Sequence, residues 1–146
     1  AWRLGVFTLQ REFAQRLLAA PGSRDYGAVT VQFALDTECE RLFNLPPEYF
    51  KPRPGVVSSA VRIRVRRAPL VPVRDRARFV TIVKAAFSQR RKTLANNLTA
   101  GLGIPKSELL ELAQGMGIDL SRRAETLTVQ EYAVLAQMLP MTEIGS

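Results

Sequence analysis

Two periodicities divide the chain. Leu4-Gly5-Val6-Phe7-Thr8-Leu9 is almost wholly apolar, the pattern of a strand covered on both faces as in a parallel sheet. Phe13, Ala14, Leu17 and Leu18 then mark one face of a short helix that Pro21-Gly22 stops. A strand feeding straight into a helix is half of a βαβ unit, and its parallel partners would lie upstream. After a loop at Ser23-Arg24-Asp25-Tyr26-Gly27, Val29, Val31, Phe33 and Leu35 alternate with Thr30, Gln32, Ala34 and Asp36, which predicts a second strand. Asn44-Leu45-Pro46-Pro47 and Phe50-Lys51-Pro52-Arg53-Pro54-Gly55 carry too much proline for ladder or helix and read as a stiff connection. Alternation returns from Ser58: Val61, Ile63 and Val65 share one face, and Arg62, Arg64 and Arg66 the other. That arginine face must be wet or lie against an anion.

Pro69 to Pro72 marks a boundary, and the remainder reads as helical. Phe79, Val83, Ala86, Phe87, Leu94 and Leu98 recur at helical spacing, so a single helix is predicted over 74–98. Within it Arg90 falls close to the apolar stripe, whereas Arg91 and Lys92 point away. A buried guanidinium needs a buried acid, and Glu125 is the candidate for an ion pair with Arg90. Gly101-Leu102-Gly103 ends that helix with a glycine suited to a left-handed cap. A further helix spans 105–114 with Leu109, Leu110 and Leu112, closed by Gly115 and Gly117. Thr128-Val129-Gln130-Glu131 matches a capping box, with Leu127 and Tyr132 as its staple, and opens the last helix towards Pro140. The fold class expected is α/β plus all-α: residues 1–68 as strands of a sheet, residues 69–146 as a small helical domain.

Charge narrows the function. With 21 Lys+Arg against 13 Asp+Glu the formal net charge is +8, and 47% of residues are hydrophobic, enough for a core. Such a balance favours a polyanionic partner, nucleic acid first and an anionic membrane surface second. Paired with a basic helix, the arginine strand strengthens the nucleic-acid reading. There is no histidine, which excludes Ser-His-Asp and Cys-His catalysis and any His-containing zinc site within this sequence. Cys39 is the single cysteine, so no intrachain disulfide or thiolate cluster forms and a reducing, cytoplasmic setting is expected. No metal and no membrane partner is expected, since no apolar run approaches a membrane span and no signal-peptide pattern opens the sequence. No glycine-rich loop of the G-x-G type follows a strand. Asn44-Leu45-Pro46-Pro47 approximates the Asn-Leu-Pro-Tyr loop of adenine aminomethylating enzymes, but Pro47 stands where the aromatic belongs, and a stiff turn entering a strand is the better reading.

Several stretches resemble the rRNA adenine N6,N6-dimethyltransferase family, which modifies paired adenines near the end of small-subunit rRNA. These are Leu9-Gln10-Arg11-Glu12-Phe13-Ala14-Gln15-Arg16-Leu17, Pro21-Gly22-Ser23-Arg24-Asp25-Tyr26-Gly27, Pro46-Pro47-Glu48-Tyr49-Phe50-Lys51-Pro52, Ala86-Phe87-Ser88-Gln89-Arg90-Arg91-Lys92-Thr93-Leu94 and Arg123-Ala124-Glu125-Thr126-Leu127. The resemblance is collinear and spans nearly the whole chain. It implies the last strands of a Rossmann-like S-adenosylmethionine (SAM) methyltransferase sheet followed by a small helical domain. It also implies that the cofactor motif and the Asn-Leu-Pro-Tyr catalytic loop lie upstream of Ala1, so that this chain alone neither binds SAM nor transfers methyl groups.

By the same resemblance, Phe50 is the aromatic expected to stack on the flipped-out target adenine. Arg91 and Lys92 are implied rRNA phosphate contacts, with small-subunit rRNA in the pre-30S particle as partner; Arg62, Arg64 and Arg66 join them as RNA-binding candidates from the strand pattern and charge alone. Gly55 and Val57 stand where the family usually has Lys and Asp, and Ala95 where it often has a further basic residue, which thins the support around both sites. Glu12 has a structural role, as a carboxylate in the first turn of a helix. Two alternatives are a non-enzymatic RNA- or ribosome-binding module and a macrolide-resistance type methyltransferase of large-subunit rRNA.

Overall fold

The computed structural model describes residues 3–49, 51–52 and 55–140. Three strands form one sheet in the order β1-β3-β2: β1 (Leu4–Gln10), β2 (Thr37–Leu45) and the central β3 (Ser58–Val65). Both pairings are antiparallel, with Leu4 opposite Arg64, Gln10 opposite Ser58, and Thr37 opposite Val65. A bulge between Arg41 and Phe43 shifts the β2 register, so the alternation of β2 changes phase along its length. Helix α1 (Arg11–Leu18) lies on one face of the sheet, where Ala14 packs with Val61 and Ile63, and Leu9 and Cys39 close the edge of this small cluster.

The larger core belongs to the helices: α2 (Ala28–Asp36), α3 (Arg76–Ala86), α4 (Leu94–Leu102), α5 (Lys106–Met116) and α6 (Val129–Met138). Phe79, Ile82, Leu94, Leu98, Leu109, Tyr132 and Leu135 sit at its centre. Tyr26, Val31 and Leu35 join the same cluster, so apolar packing crosses the proline boundary at 69–72 and ties the loop before α2, and α2 itself, to the helical part. Gly103 and Gly117 end α4 and α5 in the left-handed conformation expected of glycine caps. The Thr128–Glu131 capping box opens α6: Glu131 N–H donates to Thr128 Oγ1 (3.1 Å), and Thr128 N–H to Glu131 Oε1 (3.0 Å). No helix among the described residues is long and apolar enough to cross a membrane.

The structure corrects three expectations. Residues 29–36 form a helix, not a strand. Val31 and Leu35 are one helical turn apart and both enter the core, while the Thr30 hydroxyl accepts from Gly27 N–H (3.1 Å) and donates to the Arg16 carbonyl. Strand β1 is not covered on both faces: α1 covers one face, and Leu4 and Val6 remain exposed. The helix expected over 74–98 is two helices, α3 and α4, joined by a turn at 87–93. Leu94 follows Phe87 by seven positions, two helical turns' worth, so the apolar phase survives although the backbone leaves the helix.

Candidate nucleic-acid interface

The turn between α3 and α4 carries Arg90, Arg91 and Lys92, all three exposed. It is held from below by Asn97, whose amide is buried in the first turns of α4. Asn97 Nδ2 donates to the carbonyl oxygens of Ala86 (2.8 Å), at the end of α3, and Gln89 (2.9 Å), inside the turn. Thr93 caps α4 by accepting from Asn96 N–H (3.3 Å). Two further N–H groups at the α4 start are satisfied from outside, Leu94 by Arg122 O (2.9 Å) and Ala95 by Leu120 O (3.0 Å). The basic triplet therefore stands on a turn fixed at both ends.

Arg90 is not the buried half of a clamp. Its guanidinium donates to the Arg24 carbonyl oxygen, and no salt bridge joins it to Glu125. The expectation failed because it assumed an unbroken helix; once the backbone turns, the apolar stripe no longer passes under residue 90. Glu125 engages through its main chain instead, its carbonyl oxygen accepting from Gly22 N–H (2.6 Å). Arg90 and Glu125 do line one open cleft of about 810 Å³, together with Glu12, Arg16, Arg24 and Asp25, a wall of mixed charge. Behind it Phe87 packs between Tyr26 and Tyr132, with ring centroids 6.1 and 5.8 Å away. Tyr26 Oη donates to Leu127 O (2.7 Å) and Tyr132 Oη to Ala124 O (2.6 Å). Burial pushes the Tyr26 phenol up to about 12, with the Glu131 carboxylate a lesser cause, and burial raises Tyr132 further.

The arginine face of β3 is partly neutralised by a strand that its own sequence pattern does not reveal. On β2, Glu40 is in register with Arg62 and forms a salt bridge with it, and Arg66 Nη1 reaches Glu38 Oε1 at 3.0 Å. Arg66 Nε also donates to Ala34 O (3.2 Å) at the C-terminal end of α2. Arg64 alone of the three is left uncommitted. Phe50 lies outside the described residues. Glu12 stands in the first turn of α1, as its assigned role requires. Asn97, Tyr26 and Arg24 escape the sequence reading. Thr93 four residues before Asn97 is a helix-start signal that would have broken the long helix, and Tyr26 after Pro21-Gly22 carries no periodic signal at all.

These residues do not fit SAM. Among the described residues only β1 runs directly into a helix, and that junction, Leu9-Gln10-Arg11-Glu12, has no glycine to bring backbone against a cofactor. The glycines of positive φ, Gly22, Gly103 and Gly117, stand near helix ends.

The fold is shared with two solved methyltransferase structures. A dimethyladenosine transferase from Plasmodium falciparum superposes with a TM-score of 0.79 at 21% identity, over 92% of this chain and 56% of that one. The 23S rRNA methyltransferase ErmE gives 0.60 at 21% identity, over 94% and 55%. The family profile described as ribosomal RNA adenine dimethylase matches residues 3–139, and the chain belongs to that family. Among its relatives, proteins named ribosomal RNA small subunit methyltransferase A are 50% identical over 136 residues in Magnetococcus marinus (93% of this chain, 47% of that protein) and 42% over 143 in Myxococcus xanthus (97% and 50%). In Desulfitobacterium hafniense the identity is 43% over 132 residues (90% and 47%). The chain spans about half the length of the curated relatives it matches.

Proposed function

We propose that this chain is the RNA-facing part of a SAM-dependent enzyme that dimethylates adenines in small-subunit rRNA, acting on the pre-30S particle in the cytoplasm. The carrying observation is the basic turn: three exposed cations on a backbone fixed by Asn97, in a chain that matches the family over residues 3–139. Arg91 and Lys92 supply phosphate contacts, and Phe50 stacks on the target adenine. On this reading SAM and the groups that touch the reacting amine are supplied from outside these 146 residues. Residues 1–68 complete the catalytic sheet, and residues 69–146 form the helical domain that docks on RNA.

The test is RNA affinity against salt. Neutralising Arg91 and Lys92 together should lower affinity and reduce the slope of log K against log salt by about 1 per contact, about 2 in all. An unchanged slope would return both side chains to ordinary solvated cations and remove the RNA-binding assignment from the turn.

A further inference from the structure

Three arginines that the basic turn does not involve converge at the end of the sheet where β1 begins and β3 ends. Arg3 is fixed there by its main chain, its carbonyl oxygen accepting from Val65 N–H at 2.8 Å. Arg64 stands between Leu4 of β1 and Glu38 of β2 in the sheet register. Arg67 follows just beyond the end of β3. With Arg66 they line an open hollow of about 620 Å³, whose aliphatic wall includes Leu4, Pro69 and Leu70 and whose one carboxylate is Glu38.

That carboxylate is already taken. Glu38 holds Arg66, which also caps α2, so this pair forms a neutral wall. Arg3, Arg64 and Arg67 are exposed, and their side chains have no hydrogen-bond or ion-pair partner among the described residues. A single exposed arginine is ordinarily just solvated. Three around one hollow, one on β3 and the others beside the ends of β1 and β3, repel one another until an anion lies between them. A guanidinium fork suits phosphate, and a chain of regularly spaced phosphates can meet all three at once. None of the residues lining this hollow lines the cleft beside the basic turn.

We infer that Arg3, Arg64 and Arg67 form a second contact for an RNA phosphate backbone, separate from the Arg91–Lys92 turn. This rests on the RNA-binding reading above and adds to it. An RNA that bridges both patches is held at two places, which fixes its direction across the protein as well as its affinity.

The experiment measures binding of a fluorescein-labelled hairpin of small-subunit rRNA sequence to the 146-residue chain over a salt series. Four proteins are compared: wild type, R3A/R64A/R67A, the charge-preserving R3K/R64K/R67K, and K84A/K106A/R123A, which removes three exposed cations elsewhere. The hollow variant should lose two to three units of salt slope, about 1 per contact, and bind at least about tenfold more weakly than the control at low salt. The lysine variant should keep most of the slope. If the hollow variant falls no further than the control, the inference is overturned while the basic-turn reading stands. If the wild type shows no salt-dependent RNA binding, the RNA reading itself falls. Binding of poly-glutamate that drops as steeply as RNA binding in the hollow variant would assign the hollow to an acidic polypeptide instead.

Discussion

Asn97 is the residue on which the candidate interface hangs, because one buried amide serves a carbonyl at the end of α3 and another inside the turn. Asn97→Ala removes the donor to the Ala86 carbonyl and one of two donors to Gln89 O, which keeps Lys92 N–H (3.2 Å), and an orphaned buried acceptor costs about 1–3 kcal/mol. The expected loss is about 2–3 kcal/mol in urea melts; a loss within a few tenths would show that the turn holds without the amide. Tyr26 makes a prediction in pH. An unperturbed phenol titrates near 10, and burial raises that of Tyr26 to about 12. The folded state thus prefers the neutral phenol. Its stabilisation is full below pH ~10 and is lost as pH rises from there through about 12. Tyr132 shifts in the same direction and adds to the alkaline fall. Tyr26→Phe should cost about 1 kcal/mol near neutrality, through the lost bond to Leu127 O, yet show a shallower alkaline decline. Parallel declines for both proteins would place the titration elsewhere.

Between elements, α4 comes close to α3 at Gly101. A Cβ built on Gly101 would lie 2.7 Å from Ala85 Cβ and 3.4 Å from its Cα, so neither helix can yield by rotating a long side chain. Gly101→Ala should therefore destabilise by about 1–3 kcal/mol despite its better helix propensity, measured as a shift of the urea midpoint; a stabilised variant would mean that the helices separate freely. This helix pair also shows what was legible in the sequence. Phe79, Val83, Leu94 and Leu98 are read correctly as core, and the capping box at Thr128 and the glycine cap at 103 are where their local chemistry puts them. Local signals survive because they involve neighbours in sequence. The break at 87–93 hides because seven residues preserve helical phase. Residues 29–36 mislead because alternate positions and positions one turn apart both select Val31 and Leu35, and only packing on α3 and α6 decides between them. Strand β2 hides for another reason: Glu38, Glu40 and Arg41 face water and the bulge resets its alternation, so Thr37–Leu45 carries no clean period. With β2 unseen, so are the carboxylates that neutralise Arg62 and Arg66. Legibility of the candidate site divides in the same way: Arg91 and Lys92 are visible as charge, whereas their support is long-range.

At the scale of the 146-residue chain taken alone, the apolar edge of β1 and the basic surfaces respond to salt in opposite directions. Among the described residues β1 is an edge, pairing with β3 on one side only, and Leu4 and Val6 on it are 51% and 62% exposed. An unpaired apolar edge is a template for a second strand. Two copies joined edge to edge through β1 would extend the sheet about a two-fold axis, the commonest symmetry of small assemblies. In an antiparallel join Arg3 of one copy approaches Gln10 and Arg11 of the other, so cations flank the seam at both ends and repel. The repulsion falls as salt shortens the Debye length, to about 3 Å at 1 M, and apolar burial then prevails. Self-association should therefore strengthen with salt, whereas RNA binding through arginine and lysine weakens with it. Val6→Glu places a carboxylate opposite Arg62, in the middle of the apolar edge, and should hold the protein at monomer mass in light scattering at high salt. If the wild type stays monomeric even at high salt, where the cations at 3 and 11 are screened, the β1 edge does not self-associate and the prediction fails. If it associates and V6E associates equally, the contact lies on another face, with Phe43 on β2, 54% exposed, the next apolar site to change.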